Sequence, residues 1–200
     1  VALLVAIALY VVLPEALIIG PRWFVPGLEA VLVLTLTIRA PVRHPDEQRA
    51  VRVLAVAVIA VINVANITSV ALLVHRLLDG SSVGGATLIY SAILVWLTNV
   101  IVFGLWFWEL DRGGPGVRGT GYERWPDFAF VQMQSTDLAQ PGWHPRVVDY
   151  LYVSFTNATA FSPTDTMPLT VMAKVLMGAA SLVSLVTVVV VAARAINILR

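Results

Sequence analysis

Cysteine is missing from this 200-residue chain. Its absence excludes disulfides, thiolate nucleophiles and cysteine-ligated metal sites together. Charge is scarce as well: Asp, Glu, Lys and Arg make up 12% of the residues, against about 25% in an ordinary soluble domain. The net charge of +1 gives no basic surface of the kind that nucleic acid requires. The three histidines, His44, His75 and His144, stand in unrelated segments with no H-E-x-x-H or H-x-x-x-H spacing. There is no G-x-S-x-G elbow, and the glycines between positions 113 and 121 neither follow a strand nor open a Walker-type helix. The chain therefore reads as a non-enzyme, and no cofactor or metal is implied.

What the chain has in abundance is apolar length. Hydrophobic residues make up 58% of it and the mean hydropathy is +0.85. Runs of 18 or more apolar residues are what a hydrocarbon core about 30 Å thick demands. The expected fold is an all-α membrane protein with about five transmembrane helices and a re-entrant pore-helix-like segment. The helices fall near residues 1–19, 26–38, 47–78, 84–110 and 168–198. One membrane domain accounts for residues 1–200, with accessory helices in 1–80 and the informative region in 84–200. Val1 already lies inside an apolar run, which suggests a trimmed start. That run has no basic n-region or small-residue cleavage site to mark it as a signal peptide.

Trp23, Trp106, Trp108, Trp125 and Trp143 fall near predicted helix ends or in flanking loops, where interfacial aromatic anchors belong. Asn63 and Asn66 share one face of the third helix, and Asn99 lies in the fourth. Interhelical hydrogen bonding is the expected role of these intramembrane polar residues, with a solute path as the alternative. Glu15 is expected near an interface, and Glu109, Asp111 and Arg112 are expected to form a surface ion cluster.

The last quarter is the most specific. A long connection, residues 111–146, leads to a short apolar stretch at 147–160, a polar run at 161–166 and the last long helix. About a dozen apolar residues are too few to cross a bilayer, so the stretch suits a re-entrant helix. Non-helical backbone at membrane depth persists only when buried in protein or lining a watery cavity. Asp165 or Thr166 also stands where a helix cap belongs, just before Pro168.

This order of elements resembles the two-helix pore module of potassium-type ion channels: helix, pore helix, filter, helix. Laid alongside without gaps, Thr159 falls on the first filter-region threonine and Asp165 on the aspartate that closes the filter. Pro168 and Thr170 fall on the residues that open the inner helix, and Lys174 on its early basic residue. The resemblance implies a filter-like segment of Thr159, Ala160, Phe161, Ser162, Pro163, Thr164 and Asp165. It departs at the centre, where Ser162-Pro163-Thr164 replaces Gly-Tyr-Gly. Glycine reaches backbone angles that other residues avoid, and proline has φ fixed near −65° and no N–H. A standard potassium filter is thus unavailable, and Ser184 stands where the family has a hinge glycine. The phrases W-E-L-D-R-G-G-P, P-G-W-x-P-R and T-N-A-T-A-F-S-P-T-D resemble an uncharacterised family of bacterial integral membrane proteins, which implies the bacterial cytoplasmic membrane.

Two functions are expected from this reading. One is a pore-loop channel-like protein, a homo-oligomer and by resemblance a tetramer, that passes monovalent cations without strict potassium selectivity. The other is a non-conducting helical scaffold or small-solute binding protein with a degenerate pore module. Its partners would be the lipid bilayer, further copies of itself and monovalent cations, with no nucleic acid. Five simple spans put Arg39, Arg43, Arg49, Arg52, Arg112, Arg118, Arg124, Arg146 and Lys174 on one face. Arg22, Arg76, Arg194 and Arg200 take the other. The positive-inside rule makes the first face cytoplasmic and sends the polar run to that side, which opposes an ordinary channel.

Overall fold

The computed structural model describes residues 45–79, 85–118, 124–135, 137, 139–159 and 166–198, with isolated positions 5, 8, 9, 11–13 and 27. The helices expected at 1–19 and 26–38 lie almost entirely outside the described residues. The order of elements is α1 (Pro45–Leu78), α2 (Gly85–Leu110), a 3-10 turn (Asp111–Gly113), β1 (Phe128–Ala129), α3 (Val131–Gln134), α4 (Val147–Thr159), β2 (Met167–Pro168) and α5 (Val171–Ile198). Among the described residues, three stretches are long and apolar enough to cross a membrane: Arg52–Leu78, Ala86–Gly113 and Val171–Ala193. At about 1.5 Å per residue each exceeds the hydrocarbon thickness, whereas the thirteen residues of α4 rise only about 20 Å.

The chain divides into two compact units, each described by itself. The first comprises Val1–Val102 and Leu182–Arg200, and the second Phe103–Ser181. The first is held by an aliphatic cluster that includes Val70, Leu73, Leu88, Ala92, Val95 and Val190. Such residues cover a helix with branched aliphatic bulk and no polar atoms, so they pack in any medium that excludes water. The second unit is aromatic at its centre. Phe103, Phe107, Phe128, Phe130 and Tyr150 form its core with Val153, Ala173, Met177 and Ala180. Their rings meet tilted or edge-on, Phe107 with Phe128 at 5.1 Å and Phe130 with Tyr150 at 5.3 Å between centroids. Positive ring edges against negative ring faces favour these angles over flat stacking.

The start of the last helix departs from the sequence expectation. Pro168 does not open it. Met167 and Pro168 pair antiparallel with Ala129 and Phe128, and the Leu169 N–H donates to the Asp127 carbonyl at 2.8 Å. Proline has no N–H to donate and is tolerated on such an edge. The cap is Thr170, whose Oγ1 accepts the Ala173 N–H at 3.2 Å, rather than Asp165 or Thr166.

Candidate functional site

The site is built at the end of α2, within the second unit. After Leu110 the chain leaves the helix through Arg112 (φ 54°), Gly113 (φ 86°) and Gly114 (φ 95°). Two glycines make that left-handed exit inexpensive, and Arg112 is the one residue in it with a side chain to strain. Asp111 sits at the corner, fully buried. Its Oδ1 accepts the backbone N–H of Asp127 at 2.8 Å and of Phe128 at 3.4 Å, and its Oδ2 accepts the Tyr150 hydroxyl. The surface ion cluster expected of Glu109, Asp111 and Arg112 is therefore corrected. Glu109 and Asp111 are buried, and Arg112 lies beside Asp111 with Nε 3.7 Å from Oδ2. The connection folds back over the helix end and takes Asp111 out of water.

Asp127 makes a second tie. Its Oδ2 accepts the Arg112 N–H at 3.2 Å, and its Oδ1 accepts the Thr170 hydroxyl at 2.7 Å. The two carboxylates thus fasten the end of α2, strand β1 and the start of α5 to one another. Arg118 completes the arrangement. It donates to the Trp108 carbonyl at 2.8 Å, which satisfies one orphan acceptor at the C-terminus of α2, and to the Tyr150 oxygen at 3.1 Å. Its guanidinium also lies over the Trp108 and Tyr150 rings, at 5.3 and 5.4 Å. Burial first, and then the neighbouring Asp111 carboxylate, push the Tyr150 phenol well above its ordinary value of 10.0. Tyr150 is fixed as a proton donor.

Helix α4 starts under this cluster. Arg146 is its cap position, and the Arg146 N–H donates to Asp149 Oδ2 at 2.6 Å, half of a capping box. The helix lies close against α2: a Cβ on Gly104 would stand 2.7 Å from Leu151 Cδ2 and 3.1 Å from Leu151 Cα. At its far end Asn157 Nδ2 donates to the Met177 carbonyl at 2.9 Å, and Ser181 Oγ donates to the Asn157 carbonyl at 3.4 Å.

Of the filter-like residues, Thr159 is described. It closes α4, and its hydroxyl donates to the Thr156 carbonyl of its own helix at 3.0 Å. Ala160, Phe161, Ser162, Pro163, Thr164 and Asp165 lie outside the described residues. In the first unit, Asn99 Nδ2 donates across helices to Ser184 Oγ at 2.9 Å. Among the tryptophans, Trp106, Trp108 and Trp143 pack against the aromatic core, while Trp125 is 91% exposed and Trp23 is outside the described residues.

Sequence reasoning missed Asp127, Tyr150 and Arg118. A signal was present in the W-E-L-D-R-G-G phrase, since a helix end followed by a double-glycine reversal brings the chain back over its own last turn. The partners lie 16 and 39 residues away, and no local pattern names them. Comparison with known proteins adds no relative: no family model, no curated protein and no solved structure matches the chain.

Proposed function

We propose that this chain is a pore-loop membrane protein whose copies gather around an axis and pass monovalent cations without strict potassium selectivity. The observation that carries the reading is where α4 begins and ends. Tyr150, in its first turn, is tied to Asp111 at the end of α2. Asn157, in its last turn, is tied to Met177 and Ser181, seven and eleven residues past the Thr170 cap. That is about 10–17 Å along α5. By Thr170 the chain is again beside Asp127, which is tied to Asp111's neighbour Arg112. A thirteen-residue helix that descends from one end and a chain that is back at that end eleven residues later have the logic of a re-entrant loop. Asp165, between Thr159 and Thr170 in the sequence, would supply one carboxylate per copy, and rings of carboxylates favour cations. Replacement of Gly-Tyr-Gly by Ser162-Pro163-Thr164 removes the backbone geometry of potassium selection.

The test is cation flux into proteoliposomes for the wild type and Asp165→Asn. Flux that falls in the variant supports the reading, and flux indifferent to it removes Asp165 from any pore.

A second reading, a non-conducting scaffold, is favoured by charge. Arg118 is hydrogen-bonded to Tyr150 and Arg112 lies against Asp111, so the mouth of the loop is the arginine-bearing end. The positive-inside rule turns that end to the cytoplasm. The mass of the protein in nanodiscs separates the readings: a tetramer provides an axis, and a monomer provides none.

A further inference from the structure

Each long apolar stretch carries amide or hydroxyl side chains near its own middle. Position 65 is the midpoint of Arg52–Leu78, and Asn63 and Asn66 flank it. Asn99 lies at the centre of Ala86–Gly113, and Ser184 two residues past the centre of Val171–Ala193. At about 1.5 Å per residue, all four fall within roughly 3 Å of the middle of a span, the depth at which water is scarcest.

Four hydroxyls of this unit bond back to carbonyls of their own helices. Ser69 donates to the Ala65 carbonyl, Ser91 to Thr87, Thr98 to Leu94 and Thr187 to Val183, at 2.7–3.1 Å. Asn99 donates to Ser184. Asn63 and Asn66 differ. Asn66 is 3% exposed, and its Nδ2 has no hydrogen-bond partner among the described residues, nor has the buried Oδ1 of Asn63. An amide without a partner in an apolar medium costs several kcal/mol. Residues three apart on a helix are neighbours on one face, about 5–6 Å between Cβ atoms. One open donor and one open acceptor therefore stand a single turn apart.

We propose that Asn63 and Asn66 hold a bound water, which accepts from Asn66 Nδ2 and donates to Asn63 Oδ1. The ligand is neutral, because residues 53–74 contain no charged side chain and an ion at this depth would find no countercharge on this helix. It is small, because the two groups are one turn apart. A second copy of the chain cannot supply the missing bonds, since both atoms are shielded within the protomer. The inference stands apart from the pore-loop reading, and a chain that conducts nothing can still hold this water.

Water-edited solid-state NMR of the protein in bilayers, labelled with ¹⁵N in the asparagine side chains and in the alanine and isoleucine backbone, tests it. The chain has five asparagines, so the side-chain spectrum is small, and Asn66→Leu identifies the signal by its loss. We expect magnetisation from water to reach the Asn66 amide several-fold faster than the backbone amides of Ala65 and Ile67. In Asn63→Leu that advantage should shrink. Transfer to Asn66 no faster than to those backbone amides, measured on the wild type alone, overturns the proposal. So does fast transfer that Asn63→Leu leaves unchanged, because the water would then not be bridged by Asn63.

Discussion

Asp111 concentrates the most bonding in the fewest atoms. It is fully buried and accepts two backbone N–H groups and a phenol, so its removal leaves three donors unanswered where water cannot reach. Asp111→Ala should cost about 3 kcal/mol or more, at 1–3 kcal/mol for each buried group left open. Tyr150→Phe removes a single hydroxyl bonded to a carboxylate and should cost about 1.5–3 kcal/mol. Reversible unfolding in mixed micelles measures both, and Tyr150→Phe as harmful as Asp111→Ala would mean that the backbone bonds contribute little. The phenol also has a pH signature. Its folded value is raised by burial and Asp111, so above pH 10.0 the unfolded chain has lost that proton while the folded chain keeps it. The unfolded state then binds fewer protons, and stability falls as pH rises through this range. Below pH 10.0 the contribution is fully present. The Tyr150→Phe variant should lack that alkaline loss. The wild-type minus variant phenolate absorbance should also stay flat as pH passes 10.0; a step there would mean that the phenol is not held by Asp111.

One close approach decides how α4 sits against α2 in the second unit. Gly104 lets α4 lie against α2, and a methyl group there would meet the Leu151 backbone at 3.1 Å, which cannot yield as a side chain can. Gly104→Ala should cost about 1–3 kcal/mol, the usual range for overpacking, despite alanine's better helix propensity. Gly178 is the control. It lies in α5 with nothing within 4 Å of an added Cβ, so Gly178→Ala should stabilise an isolated copy by roughly 1 kcal/mol. Loss of an oligomer in Gly178→Ala would instead place that glycine in a close contact between copies. The cap is a third element-scale test. Thr170 both caps α5 and donates to Asp127, so Thr170→Ala should cost more than the ~1 kcal/mol of a cap alone. Thr170→Ser, which keeps the oxygen, should restore most of it.

For the whole molecule, the arginines fix the expected orientation. The chain has no cysteine, so a single Trp125→Cys gives a clean reporter at a residue 91% exposed. A membrane-impermeant maleimide should label it in inside-out vesicles and leave it untouched in right-side-out ones, as the positive-inside rule requires. The opposite pattern would set that end outward, as the proposed pore-loop reading requires, and strengthen that proposal.

Sequence alone determined the long apolar elements. Unbroken apolar length is a local property, and α1, α2 and α5 follow from it to within three residues at their starts. The short helix α4 was equally legible, because Val147–Thr159 is apolar but too short to span. The choice of cap was not. Asp165, Thr166 and Thr170 are all competent N-caps, and pairing of Met167–Pro168 with Phe128–Ala129 selects the last by holding the chain extended until position 169. Nor was the burial of Asp111. A carboxylate at a helix end reads as solvated, and only the return of the chain 16 and 39 residues later removes its water and replaces it with an N–H pair and a phenol. Periodicity and composition are short-range signals; the partners of a buried charge are fixed by where distant segments meet, which tertiary structure alone decides.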